Sequence, residues 1–138
     1  PGPGNPSHYP ETQKIYHQYK GVKKIIGICL GFQQILYAEK GQIIAQKRIF
    51  HGYQSRIKVL NGSSLFKPNK ILLGGRYHSL KLKEPFYNKN LKITMRCAET
   101  NVAMAIEDTI NNVYGFQFHP DSFLTVDGKF LIQKVFQA

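Results

Sequence analysis

The stretch that decides the fold is residues 23–36, KKIIGICLGFQQIL. With Val22 in front, VKKIIGI is rich in β-branched residues and reads as a buried strand. LGFQQILYAEKG (30–41) has helical spacing through Leu30, Gln33, Gln34 and Tyr37 and is closed by Gly41. Between strand and helix stands one residue, Cys29, with Gly27 and Gly31 two positions to either side. Small residues at that spacing let a strand turn sharply into a helix and present the middle side chain above the sheet edge. There the first N–H groups of the helix favour thiolate over thiol and can hold a developing oxyanion. A buried, unreactive cysteine is the other reading of the same five residues.

Outward from this joint the chain alternates short elements. Residues 1–10 hold four prolines and two glycines and read as a loop, and ETQKIYHQYK (11–20) as a polar surface helix ending near Gly21. Residues 42–50, 55–61, 70–80, 91–100, 102–108 and 113–120 read as strands separated by turn residues. Residues 128–138 read as a terminal helix with Phe130, Leu131, Val135 and Phe136 turned inward. Strands flanked by helices predict a single α/β domain.

The 138 residues, 42% of them hydrophobic, suffice to bury one core, roughly two-thirds of the unfolded surface. No run approaches the ~18 apolar residues of a membrane span, and the first ten residues lack the pattern of a secretory leader. Two cysteines are too few for a disulfide framework, and no zinc-like Cys spacing occurs. A soluble protein of the reducing cytoplasm is expected. The net charge of +11 raises the question of nucleic acid, but the basic residues are scattered pairs with no recognisable binding motif. No nucleic-acid and no membrane partner is expected; a solvated surface or an acidic partner protein accounts for the charge.

A thiolate nucleophile needs a proton shuttle. Of the five histidines, His8 and His17 read as surface residues. His119 lies in GFQFHPDS (115–122), after an apolar strand that Pro120 stops. In an open parallel sheet the strand ends meet in one crevice, which would bring His119 to Cys29. Asp121 is placed to accept from the second imidazole nitrogen and fix the tautomer. A plain turn histidine is the alternative for His119, as a plain loop histidine is for His78. Cys97 reads as core.

With PGPGNP at 1–6, GICLGFQ at 27–33, HG at 51–52, RYHSL at 76–80 and GFQFHPDS at 115–122, the chain resembles the class I (triad) glutamine amidotransferases. It is most similar to the amidotransferase component of anthranilate synthase and of aminodeoxychorismate synthase. The resemblance implies a flavodoxin-like domain with an open, mostly parallel sheet and helices on both faces. It also implies an activity: hydrolysis of glutamine, with ammonia supplied to a chorismate-using synthase partner. Carried over by position, Cys29 is the nucleophile, His119 the general base and acid, and Asp121 its orienting carboxylate. The backbone N–H groups of Gly2 and Leu30 form the oxyanion hole, and Gly4, Gln33, Ser79 and Leu80 hold the glutamine. No metal or organic cofactor is implied. A stand-alone γ-glutamyl hydrolase or glutaminase, or a catalytically degenerate scaffold, is the alternative role.

Three features depart from the pattern. Position 32 is Phe where the family has His or Met, and position 121 is Asp where it has Glu, one methylene shorter. The family also places a strand, a helix and a second strand ahead of PGPG. The expectation is therefore an amidotransferase domain over 1–138 that is incomplete at its N-terminus and poorly stable alone.

Overall fold

The computed structural model describes residues 1–138. A 3-10 turn, Pro6–His8, is followed by helix α1 (Pro10–Tyr19), strand β1 (Ile25–Ile28) and helix α2 (Leu30–Ala38). Seven strands come next: β2 (Ile43–Ala45), β3 (Tyr53–Val59), β4 (Ile71–Arg76), β5 (Leu80–Leu82), β6 (Lys92–Cys97), β7 (Ala103–Asp108) and β8 (Val113–Phe116). Helix α3 (Gly128–Gln137) closes the chain. The run expected as one strand over 70–80 is two, because after Arg76 the chain leaves the main sheet and pairs with β2 as a separate antiparallel ribbon.

The main sheet has six strands in the order β1-β8-β7-β6-β3-β4. The α/β class holds, but the sheet is mixed rather than mostly parallel: β1 and β8 are parallel, and the other four pairs are antiparallel. The cause is connection length. Residues 98–102 and 109–112 are too short for the crossover of a dozen or more residues that a parallel neighbour needs, so β6, β7 and β8 fold back on one another.

Helices cover both faces, as expected. Phe32, Ile35 and Leu36 of α2 pack with Tyr16 of α1 against Ile106 and Val113. On the other face Leu131 and Val135 of α3 pack against Ile57, Val59, Met95, Phe116 and Phe118, in the same cluster as Cys97. Phe130 and Phe136, expected inside, are 46% and 69% exposed. The buried stripe of α3 runs Gly128, Leu131, Val135, and both phenylalanines lie one residue off it. Phe130 instead sets its ring against Phe66 at the surface, with Lys70 and Lys134 over it.

The parallel pair positions the site. Its register sets Ile28 beside Phe116, so the chain leaves β1 at Cys29 and β8 at Gln117 side by side, at the carboxyl ends of both strands. No helix is long and apolar enough to cross a membrane.

Candidate functional site

Cys29 forms the one-residue joint that the sequence suggests. Its backbone has φ +53° and ψ −102°, a conformation L-residues rarely adopt, and its N–H is tied to the Phe116 carbonyl at 2.7 Å. The two flanking glycines are not equivalent. A Cβ on Gly27 would lie 2.5 Å from the Gly31 carbonyl oxygen and 2.7 Å from Ile35 Cδ1, whereas a Cβ on Gly31 would meet nothing within 4 Å. The close approach of strand to helix therefore needs a glycine at 27 and not at 31.

The thiol is 6% exposed. Sγ donates to the Tyr77 carbonyl at 3.8 Å and accepts from Gln117 Nε2 at 3.7 Å, both long contacts. Burial pushes the Cys29 thiol up from its ordinary value, and the Leu30 N–H and the Gln117 amide only partly offset this. Burial of the sulfur thus opposes the preference for thiolate expected at the start of α2.

His119 sits just past β8, its N–H bonded to the Gly75 carbonyl at 2.9 Å. Its Nδ1 is 3.3 Å from Asp121 Oδ1; the imidazole is 15% exposed and the carboxylate 76%. Tyr77 joins this group to the cysteine, since its carbonyl takes the Cys29 thiol while its ring meets the His119 ring edge-on at 5.0 Å. No direct hydrogen bond links Cys29 to His119; in the resting arrangement both touch Tyr77, the sulfur at its carbonyl and the imidazole at its ring.

The other expected residues surround the same spot. Gly2 lies against Leu30, a Cβ there coming 3.4 Å from Leu30 Cδ2. Gly4 has φ +91°, and a Cβ would come 2.9 Å from His8 Nδ1, so this turn requires glycine. Gln33 is buried; its amide donates to Gln117 Oε1 at 3.0 Å and to the Leu80 carbonyl at 3.4 Å. Ser79 is exposed, and its carbonyl accepts from the Gln46 N–H at 2.9 Å. These contacts bring 29, 33, 79–80 and 117–119 to one end of the sheet.

Three residues escaped the sequence reading. Gln117 is fully buried and touches both Cys29 and Gln33; the signal was a polar residue between Phe116 and Phe118 in an apolar strand. Tyr77 also bonds Ser122 through its hydroxyl at 2.9 Å. Arg76 is buried under the site segment, with its Nε donating to His78 Nε2 at 3.0 Å. That bond leaves the proton of His78 on Nδ1, which donates to the Leu80 carbonyl at 2.8 Å. His78 is therefore no plain loop histidine: burial first, then the charge of Arg76, pushes it down to about 4 and keeps it neutral.

The model of the glutamine amidotransferase class-I family matches residues 1–138. Anthranilate synthase component 2 of Lactococcus lactis is 36% identical over 135 residues, covering 96% of this chain and 68% of that protein. The bifunctional protein TrpGD of Thermotoga maritima is 38% identical over 134 residues, covering 96% of this chain and 22% of that one. Among solved structures, a glutamine amidotransferase from Thermotoga maritima superposes with a TM-score of 0.71 at 14% identity, over 99% of this chain and 59% of that chain. PurLQS from the same organism gives 0.68 at 19% identity, over 92% and 66%. With a strand–cysteine–helix elbow at 29 and a family match from end to end, the chain belongs to the class-I glutamine amidotransferases.

Proposed function

We propose that this chain is the glutamine-hydrolysing part of a chorismate-using synthase of the anthranilate synthase kind, acting through Cys29, His119 and Asp121. The observation that carries this is the strained elbow at Cys29, which holds a lone thiol at the carboxyl end of β1 beside the strand that ends toward His119. The names of the relatives support the anthranilate branch.

In this mechanism glutamine enters between Gln33, the 79–80 segment and the 1–4 loop. Its bound amide displaces the long contacts on Sγ, and His119 takes the thiol proton as sulfur attacks the amide carbon. The negative oxygen of the tetrahedral intermediate is held by the backbone N–H groups of Leu30 and Gly2. His119 returns the proton to the departing nitrogen, ammonia leaves, and a γ-glutamyl thioester remains on Cys29. His119 then takes a proton from water, whose oxygen attacks the thioester; glutamate leaves and the thiol is restored. Asp121 holds the His119 Nδ1 proton throughout. Because no base is bonded to the resting sulfur, turnover waits on substrate and partner docking to bring His119 within reach.

The test is Cys29→Ser in the full-length protein with its synthase partner. Glutamine-dependent synthesis is lost while ammonia-dependent synthesis by the partner is kept; equal loss of both contradicts the reading.

A further inference from the structure

Away from the cysteine, a cavity of about 300 Å³ is lined by Arg48, Arg56 and Arg76. The β3–β4 register puts the side chain of Arg56 on the opposite face of the sheet from Ser55 and Arg76, so Arg48 and Arg76 supply its cations. Arg76 is 0% exposed, and its contacts are unusual for a buried cation. Nε donates to His78 Nε2 at 3.0 Å, and Nη1 donates to Ser55 Oγ at 3.3 Å and to Cys97 Sγ at 3.4 Å. Nη2, also buried, has no partner. None of the three arginines takes part in an ion pair, whereas Arg96 in the same chain is bound by both carboxylate oxygens of Glu84.

A desolvated charge without a counter-charge is costly. The cavity adds to the imbalance instead of relieving it. The Arg48 guanidinium stands 5.0 Å from the centre of the Phe50 ring, on which Arg76 also lies at 3.6 Å, so two cations share one aromatic ring. The one carboxylate in the wall, Glu99, accepts from Cys97 Sγ at 3.2 Å and makes no ion pair with Arg76, on which it acts only at longer range. Two guanidinium groups thus share one carboxylate that pairs with neither. Guanidinium forks bind carboxylate and phosphate oxygens in pairs. We propose that this cavity is a binding site for a small anion bearing carboxylate or phosphate oxygens, held by Arg76 from below and by Arg48 at its mouth.

The site is joined to the 76–80 segment. Arg76 is bonded to His78, His78 to the Leu80 carbonyl, and the neighbouring Tyr77 carbonyl receives the Cys29 thiol. An occupant that draws Arg76 toward the cavity therefore shifts the segment that faces Cys29. That consequence rests on the amidotransferase reading; the binding itself does not.

The test is calorimetric titration of the full-length protein with sodium malonate and, separately, with inorganic phosphate, at ionic strength fixed with chloride. Saturable 1:1 binding of either is expected, and it names the oxygen chemistry preferred. Arg76→Met is expected to abolish it. Because that variant alters a buried side chain, the deciding variant is the exposed Arg48→Ala, expected to weaken binding at least tenfold with the melting curve unchanged, while Arg56→Ala, on the other face of the sheet, binds as the parent does. Cys29→Ala is expected to bind as the parent does, so a failure of the glutaminase reading leaves this result standing. Absence of binding by both anions, or equal affinity in the parent and in the Arg48 variant, overturns the proposal.

Discussion

Gly27 and Gly31 look alike in the sequence, and the structure predicts opposite outcomes when each becomes alanine. At Gly27 the added methyl would sit 2.5 Å from the Gly31 carbonyl oxygen, 2.6 Å from its carbon and 2.7 Å from Ile35 Cδ1. The first two are backbone atoms, so relief requires α2 to move away from β1 by several tenths of an ångström. Overpacking of this kind costs about 1–3 kcal/mol, and the backbone contact puts Gly27→Ala at the upper end. At Gly31 the methyl points into open space within a helix, where replacing glycine gains about 0.5–1 kcal/mol. Urea melts of the full-length protein measure both. Gly27→Ala lowers the midpoint and cuts glutaminase activity, because the displaced helix carries the Leu30 N–H. Gly31→Ala leaves stability equal or raised. Equal destabilisation by the two, or none at Gly27, refutes the close-approach argument for the elbow.

Three further outcomes follow from the geometry. His78 titrates near 4 in the folded chain against an ordinary 6.5, so the unfolded chain binds the proton first and stability falls as pH drops through that window. The loss between pH 7.5 and pH 5 is on the order of 2 kcal/mol, read from denaturant midpoints, and His78→Gln flattens the slope. Asp121→Asn lowers kcat/KM for glutamine by only about fivefold, since an exposed pair at 3.3 Å contributes on the order of 1 kcal/mol; a loss near the ~10⁴-fold that follows removal of a buried orienting carboxylate contradicts this. Lys24 donates to the Val135 and Ala138 carbonyls at 2.6 and 2.8 Å and so caps α3; Lys24→Met lowers thermal stability by about 1 kcal/mol, while an unchanged melt discounts the cap.

The elbow was legible because strand, cysteine and helix are contiguous, and local spacing alone encodes them. The α/β class was legible for the same reason; the helices on both faces came with the family resemblance. Strand direction within the sheet was not: it depends on how short links between β6, β7 and β8 fold, and a family resemblance overrode that signal. Phe130 and Phe136 were misplaced because residue type was read in place of helical phase, which points 131 and 135 inward and leaves their neighbours at the surface. Of the site, the residues with reactive chemistry could be named, but not the balance of forces on them. The helix N-terminus at Cys29 is visible in sequence, whereas the burial that opposes it, and the contacts of Gln117 and Tyr77 on the sulfur, come from residues distant in the chain and unremarkable as types. Arg76 and His78 form one buried network for the same non-local reason.

The central claim is that Cys29 is a nucleophile in a glutamine pocket, and it is tested most directly by mass spectrometry after exposure of the full-length protein to a glutamine-mimicking diazo-ketone. A single adduct on Cys29, suppressed by excess glutamine and absent from Cys97, is the predicted result. No adduct, or labelling of both cysteines that glutamine does not suppress, contradicts it.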